Sequence, residues 1–191
     1  SNELAKMEIE RLIASSLLDI KHVWHPDTGW NKNTILNAAI RSSTKEYLIF
    51  IDGDCLLHPK FVKNHLHYAR ERIILTGRRV NLSSRVSDKL NIKLINEGYL
   101  QFVILLDLLK DLPAKKVRDL EQGFYVGNSK FGDWLNRKDK GVLGSNFSLY
   151  KKDILEVNGF DERFTEPAAG EDTDIEARLR RLGMKVHTVR N

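Results

Sequence analysis

Two acidic clusters hold the residue types that could do chemistry in this 191-residue sequence. Asp52-Gly53-Asp54 follows directly on the apolar run Tyr47-Leu48-Ile49-Phe50-Ile51. In an extended segment residues two apart face the same way, so both carboxylates can enter one cleft, and Gly53 lets a ligand approach the backbone. Paired hard oxygens suit Mg²⁺ or Mn²⁺ held against a diphosphate, whose developing charge the metal would neutralise. The tripeptide alone reads equally as a polar turn, and Asp172-Thr173-Asp174 repeats its spacing; its place after a buried strand is what points to a metal. The second cluster, Gly170-Glu171-Asp172-Thr173-Asp174, precedes the amphipathic positions Ile175, Leu179 and Leu182. Acidic residues there cap a helix and complement its dipole. A carboxylate rigidly aimed at a helix start beside a cleft can also remove a proton from a hydroxyl.

The elements that must position these clusters alternate. Leu4, Met7, Ile9, Leu12 and Ile13 have the spacing of a helix face that ends near Ser15-Ser16, and Ile20 to Trp24 reads as a short strand closed by His25-Pro26-Asp27-Thr28-Gly29. A helix is predicted over about Asn31–Arg41, a buried strand at Tyr47–Ile51, a helix from Pro59 to about Arg70 and a strand at Arg72–Thr76. Further on come a strand at Leu143–Leu149, a helix at about Lys152–Val157, a helix from Asp172 to Leu182 stopped by Gly183, and a strand at Met184–Val189. The alternation predicts one α/β domain over 1–191, a mostly parallel mixed sheet flanked by helices. The stretch 82–140 breaks the rhythm and reads as a basic helical insertion on one sheet edge.

Composition limits the partners. A net charge of +5 suits phosphorylated substrates, nucleic acid or an anionic membrane surface without choosing among them. No nucleic-acid motif accompanies the charge, so none is expected as a partner. The single cysteine, Cys55, excludes an internal disulfide framework and a Cys-based zinc site, and fits a reducing compartment. The absence of an 18-residue apolar run or of a signal-peptide pattern predicts a cytoplasmic chain, at most peripheral to the inner face of a membrane.

In order along the chain stand Asp52-Gly53-Asp54 after a buried strand, Gly144-Ser145-Asn146-Phe147-Ser148, Val157-Asn158-Gly159-Phe160-Asp161-Glu162-Arg163-Phe164, and Gly170-Glu171-Asp172-Thr173-Asp174 before Arg178-Leu179. Together they resemble a family 2 glycosyltransferase of the GT-A fold, of the bacterial kind related to the galactosyltransferase and chondroitin-polymerase groups. The resemblance implies a metal-dependent, inverting transfer of a sugar from a nucleoside-diphosphate sugar, a UDP-sugar, to a hydroxyl of a saccharide or lipid-linked saccharide in polysaccharide or glycoconjugate synthesis for the cell envelope. Carried over by position, it makes Asp54 the direct ligand of Mn²⁺ or Mg²⁺ and places Asp52 on the ribose or metal. Asp172 becomes the base, with Glu171 orienting the acceptor. Gly53, Lys32 and Asn37 fall on the donor side, and Gly144 and Asn146 on the acceptor side. Lys32 either faces phosphate or base, or lies on an ordinary solvated helix face.

Departures from the pattern bear on the grip. The resemblance implies that a strand-helix-strand unit of the family precedes Ser1, and that a metal-binding histidine follows the last strand. His187 is the histidine of that region, as a ligand or as a strand residue facing solvent or core. Glu166-Pro167-Ala168-Ala169 replaces a tryptophan-glycine stretch of some relatives, which leaves acceptor choice open. Two other classes compete: nucleotidyl transfer onto a sugar phosphate, which needs a glycine-rich basic loop that is not visible, and a basic binding module without catalysis. Within the insertion, Leu100, Phe102, Val103, Ile104, Leu106 and Leu108 precede Lys110, Lys115, Lys116 and Arg118. This segment either packs on the domain or a second subunit, or rests on an anionic membrane and brings the cleft to a lipid-linked acceptor.

Overall fold

A computed structural model describes residues 3–26, 28–101, 103–111, 141–167 and 170–189. Helix α1 covers Glu3–Ser15 and buries none of its residues. Helix α2 (Lys32–Ser42) buries Asn33, Asn37 and Ile40, one face at helical spacing that carries two amides. Strand β1 is Tyr47–Ile51, and α3 (Phe61–Tyr68) follows Pro59 and buries Phe61, Asn64 and His65. Strand β2 (Ile73–Thr76) leads into the insertion with α4 (Ser84–Lys89), α5 (Ile92–Asn96) and α6 (Val103–Asp111). Ser83 and Asn91 cap α4 and α5 by accepting the N–H of Val86 and Leu94. The chain returns through β3 (Asn146–Tyr150), α7 (Lys151–Glu156), α8 (Glu171–Arg181) and β4 (Lys185–Thr188).

The four strands stand in the order β1-β3-β2-β4. The sheet is mixed, as expected, but its balance differs from the expectation: β3 pairs antiparallel with β1 and with β2, and only β2 and β4 pair in parallel. Three strands share one direction; β3 enters from the insertion at the opposite sense and slots between two of them. Its residues alternate between the faces. Phe147 and Leu149 join Ile74, Ile154, Phe160, Ile175 and Leu179 in the main core under α2, α7 and α8. Ser148 turns to the other face, where it meets His65 of α3. Fully buried aliphatic positions of this kind lose about 2–5 kcal/mol on truncation to alanine, so this core holds the layers in register.

The segment Ile20–Trp24 is not a strand. No described strand pairs with it, and Ile20 and Trp24 each remain 38% exposed, with the Lys6 ammonium 4.9 Å from the Trp24 ring. An apolar run without a neighbouring edge has nothing to satisfy its backbone as a ladder.

The described half of the insertion packs on itself. Val86 and Leu108 form a second core with Val80, Leu82, Ile104 and Leu105. Val103, Leu106 and Leu109 lie on the outer side of α6. Of the basic residues there, Lys89 and Lys110 bond Asp107 at 2.6 and 3.0 Å, and Arg85 bonds Asp111 at 2.9 Å. Lys115, Lys116 and Arg118 lie outside the described residues. No helix among the described residues is long and apolar enough to cross a membrane.

Candidate active site

Strand β1 ends at Ile51, and the next residues turn: the Cys55 N–H bonds the Asp52 carbonyl at 3.1 Å. That turn delivers the Asp52 and Asp54 side chains to the carboxyl end of the strand, where open α/β sheets place ligands. Gly53 has open space where a Cβ would stand, so packing within the protein does not require a glycine there. The Arg79 guanidinium, half exposed, lies 3.5 Å from Asp52. Arg79 was not singled out in the sequence, because nothing local marks it; it reaches the site only through the β2–β3 neighbourhood.

Opposite, α8 starts at Glu171 after Gly170, whose φ of 96° lies in the left-handed region that glycine adopts without strain. Glu171 is buried and its Oε1 lies 3.4 Å from Lys32 Nζ. Asp172 is half-buried and its Oδ2 accepts the Gly144 N–H at 2.7 Å. A Cβ on Gly144 would collide with the Asp172 carboxylate, so the glycine is what lets this carboxylate sit there. Burial pushes the Asp172 carboxyl above its ordinary value. The Gly144 N–H and the Lys32 charge pull it back, while the Glu171 and Asp52 carboxylates add to the rise. Asp172 therefore stands within electrostatic reach of Asp52. Asp174 belongs elsewhere: it pairs with Arg178 at 2.6 Å along the helix.

Several expected ligand-facing residues instead build the frame. Asn37 donates to the Phe160 carbonyl at 2.8 Å and to Glu162 at 2.9 Å, and accepts the Phe160 N–H at 2.8 Å. Its donor-side assignment is corrected accordingly: the amide is engaged inside the protein and locks α2 to the 157–164 loop. Arg178 holds the same loop from α8 through the carbonyls of Val157 and Gly159, both at 2.7 Å. Lys32 faces Glu171 and so joins the α8 cluster, from the α2 side of the cleft. The Asn146 amide bonds His65 at 3.1 Å and the Arg78 carbonyl at 3.2 Å, so it too serves the frame. His65 is fully buried between Asn146 and Ser148, and burial lowers its pKa to about 4. It is a neutral bracket under the site that the sequence did not mark.

Among the described residues no group of three His, Cys, Asp or Glu side chains could hold a metal by themselves. The Asp52 and Asp54 pair still offers hard oxygens of the kind Mg²⁺ takes in ones and twos, the rest of its shell coming from phosphate and water. His187 does not join them. It lies on β4 opposite Leu75, in the row that runs through Ser148 to Ile49, which is three strands and roughly 14 Å from β1 at ordinary strand spacing. Its ring stacks on Tyr68 at 5.7 Å.

The sequence profile of glycosyl transferase family 2 matches residues 8–155, and that of the N-terminal domain of galactosyltransferase matches residues 124–191. Chondroitin synthase from Escherichia coli is 24% identical over 202 residues, covering 97% of this chain. The chain spans 28% of that protein's length.

Proposed function

The chain belongs to glycosyl transferase family 2 and is a glycosyltransferase of GT-A fold, and from that premise we propose a metal-dependent, inverting transfer from a nucleoside-diphosphate sugar, a UDP-sugar by the family resemblance, to a saccharide hydroxyl in polysaccharide or glycoconjugate synthesis. The observation that carries the reading is the Asp172 carboxylate, fixed on the Gly144 N–H at 2.7 Å at the start of α8, with its carboxyl raised by burial and by the Glu171 and Asp52 charges. Asp172 takes the proton of the acceptor hydroxyl as that oxygen attacks the anomeric carbon from the side opposite the diphosphate. The new C–O bond forms as the bond to the diphosphate breaks, and the nucleoside diphosphate leaves with the electron pair. Glu171, held by Lys32, orients the acceptor; the raised basicity of Asp172 suits it to the proton. Asp52 and Asp54 would hold Mn²⁺ or Mg²⁺, which when bound offsets the charge of the diphosphate. Arg79 adds a guanidinium on the same side, a planar donor suited to phosphate oxygens.

Nucleotidyl transfer and a non-catalytic basic module have less support. The family is one of sugar transfer, and Arg85, Lys89 and Lys110 of the insertion are engaged by Asp107 and Asp111. The test is release of UDP from UDP-sugars with saccharide acceptors, with Mn²⁺ or Mg²⁺ and with chelator. Asp54→Ala should remove the metal requirement of nucleotide binding together with most activity. Equal nucleotide affinity with and without chelator in the wild type would overturn the metal role.

A further inference from the structure

Arg79 reaches Asp52 from residues 77–80, a segment with neither helix nor strand to fix it. What holds that segment is Asn146, which grips it twice. The Asn146 carbonyl accepts the Gly77 N–H at 2.9 Å, and its side-chain amide donates to the Arg78 carbonyl at 3.2 Å. A Cβ on Gly77 would collide with that amide, so the glycine makes the room the grip needs. The Arg78 carbonyl belongs to the planar peptide that joins Arg78 to Arg79, so fixing it fixes the direction in which Arg79 leaves.

The amide is held in turn by a chain of bonds that runs to the edge of the sheet. His65 Nε2 lies 3.1 Å from Asn146 Oδ1, His65 Nδ1 lies 2.7 Å from Ser148 Oγ, and Ser148 Oγ lies 2.7 Å from the Tyr47 hydroxyl on the edge strand β1. The direction of each bond follows by elimination. A carbonyl only accepts, so the Asn146 nitrogen faces Arg78 and its Oδ1 faces His65. Oδ1 also only accepts, so His65 carries its proton on Nε2. Burial keeps the ring neutral, with a pKa of about 4, so Nδ1 accepts the Ser148 hydrogen. That hydrogen is then spent, and Tyr47 donates to the Ser148 oxygen. Reversing the Asn146 amide would set its oxygen against the Arg78 carbonyl, two acceptors face to face in a buried place. The chain therefore admits one orientation of the amide.

We infer that Tyr47, Ser148, His65 and Asn146 together position the Arg79 guanidinium at the reaction centre, with His65 in its Nε2–H form setting the direction of the chain. The inference rests on the reading that Arg79 meets the diphosphate of the donor. Ser148 and His65 are fully buried, so they act on a ligand through the segment they hold and are positioning residues. A guanidinium on a fixed backbone loses less freedom on meeting phosphate than one on a drifting segment.

The test combines NMR of the imidazole nitrogens with calorimetry of UDP and Mn²⁺ on the whole chain. His65 should show the Nε2–H tautomer at neutral pH. Arg79→Gln should weaken UDP about tenfold, as for loss of a charge-assisted bond. His65→Gln and the milder Ser148→Ala should each weaken it about threefold or more, and should add nothing in the Arg79→Gln background, which a merely structural defect would not reproduce. Thermal melts check that each variant folds; should His65→Gln fail to fold, Ser148→Ala and the wild-type tautomer decide. An Nδ1–H tautomer, unchanged UDP affinity in Ser148→Ala while Arg79→Gln weakens it, or equal losses with and without Arg79 would overturn the inference. Unchanged affinity in Arg79→Gln would remove the role of Arg79 and this inference together, while release of UDP from UDP-sugars still reads the transfer itself.

Discussion

Asp107 and Asp172 are the same residue type at helical positions, and the molecule treats them oppositely. Asp107, in the insertion, accepts from Lys89 at 2.6 Å, Tyr99 at 2.7 Å and Lys110 at 3.0 Å. Those donors hold its carboxyl far below the usual carboxylate range. Asp172 has one backbone donor and two acidic neighbours, and burial lifts it above its ordinary value. A carboxylate whose lone pairs are filled by the protein has little capacity left for a substrate; one that is fixed yet under-solvated keeps its basicity for a proton.

The strongest way to break this comparison is to neutralise each acid in turn. Asp172→Asn should leave UDP-sugar binding nearly intact and lower turnover by about a hundredfold or more, measured by single-turnover assay. If Glu171→Gln proves the more damaging, the two roles are exchanged. Gly144→Ala comes next: its Cβ collides with the Asp172 carboxylate, and turnover should fall at least about tenfold in the same assay. Asp107→Asn should leave chemistry far less affected but cost about 1–3 kcal/mol of stability in urea titration, since it strips charge-assisted bonds from a buried group.

The pH dependence gives the comparison opposite signs. Stability from Asp107, whose folded carboxyl is depressed, is present above the unfolded carboxylate value and is lost as pH falls below it. Asp172, with its raised carboxyl, destabilises the fold when charged, so Asp172→Asn should raise the melting temperature at neutral pH, and the gain should vanish in acid. The smallest expected effect concerns the rate: the acidic limb of kcat lies above the ordinary aspartate value, and Lys32→Met, which removes a cation that pulls Asp172 down, should move it slightly higher.

What was legible in the sequence is what period and placement control. The apolar run before Asp52 gave β1 its true limits, Tyr47 and Ile51, and the acidic cluster before Ile175 marked the start of α8 within a residue. Residues whose task depends on a distant partner were not legible. Asn37 reads as a polar helix position, yet it sits 2.8 Å from the Phe160 backbone, 123 positions away. His65, Arg79 and Arg178 act through tertiary neighbours in the same way. Ile20–Trp24 has strand composition, but a strand also needs an adjacent edge, which composition cannot supply. The place of the expected ligand His187 was not legible either, since topology sets β4 across the sheet from β1.

The Gly77 N–H bonds the Asn146 carbonyl at 2.9 Å, so the chain leaves β2 and re-enters β3 at one point on the sheet rim. Residues 78–145 are thereby stapled at their base, and closing a longer or shorter excursion there changes the entropy of closure only logarithmically, about 0.6 kcal/mol per doubling. Away from Arg79, the second core and Gly144, a change of length in this segment therefore alters the closure entropy little, while the strand register beneath is pinned at Gly77 and Asn146.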